Sequence, residues 1–146
     1  MNITIEHLQL PELVESLRIQ ADDVFPDLKE EKRLEMLAEK WYTYAEFCTC
    51  RDENDQLVGM IVFYANKPEN RIVYMSHVYV SGEYRGKGVF TQLFHKILEY
   101  TKNKGFRHIR LEVKINNQKA QKAYLRNGFT YEGNASDNSI YMGIEI

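Results

Sequence analysis

The chain has 146 residues, 44% hydrophobic and 27% charged, with a formal net charge of −2. That size and composition suit one domain that buries a proper core without metal or disulfide staples. The charge balance argues against general nucleic-acid binding, which needs a basic face. No window approaches the roughly 20 apolar residues of a membrane helix, and no secretory signal follows Met1. The expectation is a cytoplasmic protein with no membrane partner.

Residues Ile3–Leu8 read as a first strand. A helical pattern starts at Pro11, with Leu13, Val14 and Leu17 at near-helical spacing. The acidic stretch Ala21–Asp27, with Phe25-Pro26, reads as a loop. A second helix fits Lys29–Trp41, with Leu34, Leu37 and Ala38 on one face. Tyr42–Arg51, Leu57–Ala65 and Arg71–Val80 then read as an antiparallel meander. Its turns are Asp52–Asp55 and Asn66–Asn70. The third strand is apolar on both faces, which suggests a central position.

Phe90, Leu93, Phe94, Ile97 and Leu98 follow the i, i+3, i+4, i+7, i+8 pattern of an amphipathic helix, with Gly105 as its stop. Ile109, Leu111, Val113 and Ile115 alternate with Arg110, Glu112 and Lys114, the pattern of a half-buried strand. Asn116 or Asn117 can cap a last helix that runs to about Arg126 and ends at Gly128. Two short strands follow, separated by Asn134–Asn138. The element order predicts an α+β fold with a helical crossover, hence one locally parallel strand pair in a mixed sheet. The two cysteines, Cys48 and Cys50, lie two apart on one strand and read as buried thiols. They make neither a disulfide framework nor a metal site, and no metal is expected.

The most informative segment is Gly82-Glu83-Tyr84-Arg85-Gly86-Lys87-Gly88, between a buried strand and an amphipathic helix. Unpaired amides at a helix start sit at the positive end of its dipole and suit phosphate. Glycines let that backbone approach a ligand, and Arg85 and Lys87 add charge. A P-loop is excluded, because only three residues separate Gly82 from Gly86 and Gly88 stands where the hydroxyl belongs. A dinucleotide fingerprint fails too, since its third glycine is Thr91 here. A plain glycine-rich turn that starts a helix is the simpler alternative.

Arg85-Gly86-Lys87-Gly88-Val89-Phe90 resembles the Arg/Gln-x-x-Gly-x-Gly/Ala motif of the GNAT superfamily of acyl-CoA N-acyltransferases. Asn117, Ala120, Tyr124, Gly128 and Phe129 match that family's second signature, Asn-x-x-Ala-x-x-x-Tyr-x-x-x-Gly-Phe. The resemblance covers roughly residues 72–132; the N-terminal half fits by element order only. It implies a mixed, mostly antiparallel sheet flanked by about four helices. Its fourth and fifth strands, about 71–80 and 107–115, splay apart. The pantetheine arm of acetyl-CoA would lie between them, on the backbone of Val78, Tyr79 and Val80. The amides of Gly86, Lys87, Gly88, Val89 and Phe90 would take the pyrophosphate, with Arg85 beside them, and Asn117 would touch the pantetheine. Phe90 stands where the family usually has Gly or Ala, and its ring narrows the pocket or shifts the helix.

The implied activity is N-acetylation of a primary amine, on a small molecule or a peptide, by direct attack on the thioester. A protonated amine has no lone pair, the oxyanion needs donors, and the leaving thiolate gains from a proton. The resemblance gives Tyr124 as the general acid; packing under the last strands is its structural alternative. The family's strand-four base positions hold Tyr74 and Ser76, neither of them a base. Strict alternation turns His77 to the other face. A fifth-strand base used by other members maps to Glu112, which also reads as a solvated charge beside Arg110 and Lys114. A water chain is a third route. The rivals are a non-catalytic acyl-CoA sensor on the same fold and a small interaction module. A homodimer is common in proteins like this.

Overall fold

A near-continuous apolar run, Leu57 to Phe63, fills the strand beside the central one of the sheet. Such a run belongs to a strand covered on both faces. The computed structural model describes residues 1–146, the side chain of Pro68 apart. The strands are β1 (Asn2–Glu6), β2 (Glu46–Arg51), β3 (Leu57–Tyr64), β4 (Ile72–Val80), β5 (His108–Lys114), β6 (Thr130–Ser136) and β7 (Ser139–Glu145). They form one sheet in the order β1-β2-β3-β4-β5-β7-β6. Neighbours are antiparallel except β4 and β5. The helices are α1 (Leu10–Asp23), α2 (Glu31–Tyr44), α3 (Val89–Asn103) and α4 (Gln118–Arg126). The α3 crossover makes the parallel pair possible. This is the mixed α+β sheet, flanked by four helices, that the element order predicts.

Each face of the sheet has its own core. Ile61, Phe63, Val73 and Met75 meet Leu93, Phe94 and Ile97 of α3. Met60 and Val62 meet Leu13 and Leu17 of α1 and Leu34, Ala38 and Trp41 of α2. Burying one such Leu, Ile or Phe side chain is worth about 1.5–3 kcal/mol. Cys48 and Cys50 are free and fully buried in the α3-side core, where burial pushes the Cys48 thiol up to about 12.

Several boundaries differ from the sequence expectation. Tyr42–Tyr44 continue α2, because the stripe Leu34, Ala38, Trp41 carries the helix on to Ala45. Helix α1 extends through Ala21–Asp23, where the expected loop begins, because Gln20 and Ala21 are buried against the sheet. The turn before β7 is shorter than Asn134–Asn138, since β6 runs to Ser136.

Two irregularities shape the middle of the sheet. Val62 pairs with His77 but Phe63 pairs with Met75, so Ser76 is an inserted bulge residue. A bulge resets the two-residue alternation. Val73 and Met75 before it, and Val78 and Val80 after it, all join the α3-side core. Tyr74, His77 and Tyr79 therefore share the opposite face. The expectation that His77 points away from Tyr74 is corrected on this ground. Second, β4 and β5 pair only from Ile72–His108 to Met75–Leu111. Beyond that rung the two strands part and leave a wedge.

Candidate active site

The wedge exposes part of the β4 backbone. The Ser81 amide donates to Val58 O at 2.8 Å. In an antiparallel ladder, bonded positions alternate, so the peptide groups of Val78 and Val80 point into the wedge and those of Tyr79 turn to β3. Val80 O is already taken by Arg85 Nε at 2.8 Å. The amides of Val78 and Val80 and the Val78 carbonyl remain for a ligand lying between the strands. Tyr79 presents no backbone group to it.

The chain then turns into α3. Gly86 and Gly88 have φ of 74° and 80°, and nothing lies within 4 Å of where a Cβ would stand on either. A side chain there would be strained and would fill open space in front of the helix. Gly88 is the N-cap, and no side chain caps the helix. The first-turn amides of Val89, Phe90 and Thr91 thus stay unpaired at the positive end of the α3 dipole. Gly59 brings this end against the sheet: a Cβ there would stand 3.2 Å from Val89 Cγ1. These residues fit an anionic group.

A cleft of about 730 Å³ joins the wedge to the turn. Arg85, Lys119 and Arg126 line it, and no carboxylate among the described residues does; Arg85 is paired with Asp23 at 2.6 Å, so Lys119 and Arg126 supply the excess positive charge. In a chain of net charge −2, that local excess favours an anionic occupant. Asn117 lines the cleft from the start of α4, where its Oδ1 accepts from the Ala120 amide at 3.2 Å. Lys87 lies apart, with Nζ 5.9 Å from the Tyr84 ring centroid. A smaller concavity of about 430 Å³ at the other end of α3 is lined by Arg71, Lys102, Lys104 and Arg107. Of these, Lys102 sits in the last turn of α3, where a cation suits the helix carbonyls.

Tyr124 reaches the cleft from α4. Its ring meets Phe90 edge-on at 5.4 Å and Phe129 at 5.7 Å. Its hydroxyl has no hydrogen-bond partner among the described residues, and burial pushes its pKa up to about 12. Phe90 also stacks on Phe94 at 6.0 Å. The ring thus lies between α3 and α4 and leaves its own amide at the helix start.

On the opposite face, Glu112 is the first β5 residue past the last β4–β5 rung. It pairs with Tyr141 of β7 and accepts from Ser139 Oγ at 2.6 Å. Burial, then Glu112 and then Tyr141 push the Tyr74 hydroxyl upward. His77 is enclosed instead. It bonds Gln20 Oε1 at 2.6 Å, its ring is 4.7 Å from Phe25 and 4.8 Å from Trp41, and burial drives its pKa down to about 4. The structure therefore brings Val78, Val80, Arg85, Gly86, Gly88, Val89, Phe90, Asn117 and Tyr124 to one cleft, with Glu112 across the sheet.

Sequence reasoning missed Lys119 and Arg126. At about 100° per residue both stand roughly 140–160° round α4 from Tyr124, so periodicity held no signal for them.

The model of the acetyltransferase (GNAT) family matches residues 10–129. The chain belongs to the GNAT acetyltransferase family. One relative is the N-alpha-acetyltransferase 30 of Schizosaccharomyces pombe, 29% identical over 90 residues, 60% of each chain. Another is the thialysine N-epsilon-acetyltransferase of Mus musculus, 36% identical over 66 residues, 45% of this chain and 39% of that one. The chain thus spans less than two thirds of the length of these curated relatives. The PaiA N-acetyltransferase of Thermoplasma acidophilum, solved in complex with coenzyme A, superposes along both whole chains with a TM-score of 0.73 at 18% identity. At that identity the likeness speaks for the fold alone.

Proposed function

We propose that this GNAT chain is a single acetyltransferase domain acting in the cytoplasm. It moves the acetyl group of acetyl-CoA to a primary amine of a small molecule or peptide, by direct attack within a ternary complex. The observation that carries this reading is the cleft itself. It combines an unpaired strand edge, open glycine amides at a helix start, and the lining cations Lys119 and Arg126, with no carboxylate in the lining among the described residues. A pantetheine arm matches the edge and a pyrophosphate matches the amides. Two relatives are named for acetylating an α-amine and the ε-amine of thialysine, which supports an amine acceptor.

In this reading the backbone of Val78 and Val80 aligns the thioester, and the amides of Gly86 to Phe90 hold the pyrophosphate. Lys119 and Arg126 add charge, and Asn117 bounds the arm. The amine enters from the Tyr74–Glu112 side. Its lone pair attacks the thioester carbonyl carbon, the carbon–sulfur bond breaks, and the amine proton leaves to Glu112 or to water. Tyr124 donates a hydrogen bond to the departing sulfur.

A thermal-shift titration with acetyl-CoA, with ATP and NAD as controls, tests the donor; stabilisation should grow with concentration. An amine panel read by thiol release tests the chemistry. Equal response to all three ligands, or none to acetyl-CoA, removes the reading. Binding without thiol release on any amine makes the protein an acyl-CoA sensor.

A further inference from the structure

The guanidinium of Arg85 does not reach forward over the glycine turn; it folds back. Its Nε donates to Val80 O at 2.8 Å, and its Nη2 donates to Asp23 Oδ2 at 2.6 Å. Nη1 lies 3.5 Å from where a Gly82 Cβ would stand. The same Asp23 oxygen accepts from Tyr79 Oη at 2.8 Å. Asp23 is the last residue of α1, where a carboxylate faces the negative end of the helix dipole. That misplaced sign is offset only by Arg85 and Tyr79.

Directly after Asp23 come Val24 and Phe25, which line the cofactor cleft. The short turn Pro26–Leu28 that follows buries none of its residues. Phe25 and Leu28 pack partly buried on the α1–α2 core, and two polar anchors add to that hold. One is the bond between Gln20 and His77; the other is the Asp23 cluster. Both fasten the end of α1 to the half of β4 beyond the Ser76 bulge, the half whose free edge faces the wedge.

We propose that Asp23 and Arg85 form a clasp that holds the α1–α2 loop against the donor strand, making Asp23 a positioning residue for acetyl transfer and Arg85 its anchor rather than a pyrophosphate ligand. The proposal rests on the acetyl-CoA reading above. Turning Arg85 forward onto a phosphate would strip Val80 O and leave Asp23 with Tyr79 alone. The donor's phosphates are met instead by the turn amides and by Lys119 and Arg126. The clasp also ties the wall made by Val24 and Phe25 to the strand that carries the donor, so one loop position serves both substrates.

The test uses Arg85→Met, Asp23→Ala, their double variant and Asp23→Asn, with two donors, acetyl-CoA and S-acetylpantetheine, which lacks the pyrophosphate. Asp23 and Arg85 keep 31% and 34% of their side-chain surface exposed, and melting temperature checks that each variant folds. Each single variant is expected to lower kcat/KM about tenfold with both donors and to raise the acceptor KM. The double variant should lose little more than either one, as coupled residues do. Asp23→Asn, which keeps the bond from Tyr79, should fall between. A loss in Arg85→Met that appears with acetyl-CoA and vanishes with S-acetylpantetheine makes Arg85 a phosphate ligand and overturns the clasp. So do multiplying losses, or an Asp23→Ala protein with wild-type kinetics. A wild-type protein inert toward acetyl-CoA fails before any variant is compared, and then the site reading falls and takes the clasp with it.

Discussion

Replacing Tyr124 with Phe tests the reacting centre most directly. Burial holds the Tyr124 hydroxyl at about 12, whereas a free thiol of the cysteine kind ionises near 8.5. Full proton transfer from such a phenol to the leaving sulfur would be uphill by roughly 3.5 pKa units, or about 5 kcal/mol. Tyr124 therefore acts by donating a hydrogen bond to a developing thiolate. Hydrogen bonds to charged groups are worth about 1.5–3 kcal/mol, which predicts a fall in kcat of about 10- to 150-fold. The ring contacts with Phe90 and Phe129 survive the substitution, so acetyl-CoA affinity should change less than about threefold. The assay is thiol release at saturating donor and acceptor, alongside acetyl-CoA titration. Because the hydroxyl stays protonated well above neutral pH, wild-type kcat should show no Tyr124-dependent decline up to about pH 10. A Tyr124→Phe enzyme within twofold of wild type, or one whose whole defect lies in donor affinity, refutes the assignment.

Three other substitutions probe separate parts of the site. Glu112→Gln should shift the rise of kcat/KM with pH, and an unchanged profile assigns proton removal to water. Phe90→Ala removes the ring at the position where the family has a small residue. Donor affinity is expected to hold or tighten while kcat falls at least about threefold, since Tyr124 loses its edge contact; a tenfold weaker donor contradicts this. Gly143→Ala places a methyl group on the Glu132 carboxylate, which crosses β7 to bond His108 and Arg110 on β5. The carboxylate must then swing away, at a cost of about 1–2 kcal/mol given its partial exposure. Burial tends to raise the Glu132 pKa, but the bonds from His108 and Arg110 outweigh it and hold it below the usual carboxylate range. Its contribution is thus complete above the ordinary carboxylate pKa and is lost as pH falls through the lowered one. Melting curves from about pH 6 to pH 3 should show a shallower acid decline in the variant; parallel curves would deny Glu132 this role.

What the sequence revealed was local chemistry, and what it hid was geometry between distant segments. The α3 stripe, the β5 alternation and the Asn117 cap follow from residues a turn or less apart, and all three stand in the structure. The two motifs placed the cleft because each lies on one element and α3 joins them. Tyr42–Tyr44 were read as strand from their aromatic content, although the stripe through Trp41 to Ala45 continues α2; packing outweighed propensity. Gly143 did carry a signal, since an isolated glycine in an alternating strand marks a close approach. Asp23 and Arg85 stand 62 residues apart, and no periodicity connects them.

The bulge at Ser76 has the widest consequence for mechanism. By resetting alternation it turns His77 onto the acceptor face, where the only histidine near the wedge would look like a base. Yet that side chain shares its proton with Gln20 and is held neutral by burial down to about pH 4. Its Nε2–H is spent on Gln20 and pins α1 to β4, while Nδ1, in a ring set beside Phe25 and Trp41, is too weakly basic at that pKa to take the amine proton. In the proposed mechanism the amine proton leaves instead to Glu112, which stands near Tyr74 and Tyr141, or to water. Tyr124 works from the α3-side core, and Glu112 lies on the other face of β5 from Leu111 and Val113. In the proposed mechanism the sheet itself therefore keeps Glu112, which takes the amine proton, apart from Tyr124, which steadies the sulfur.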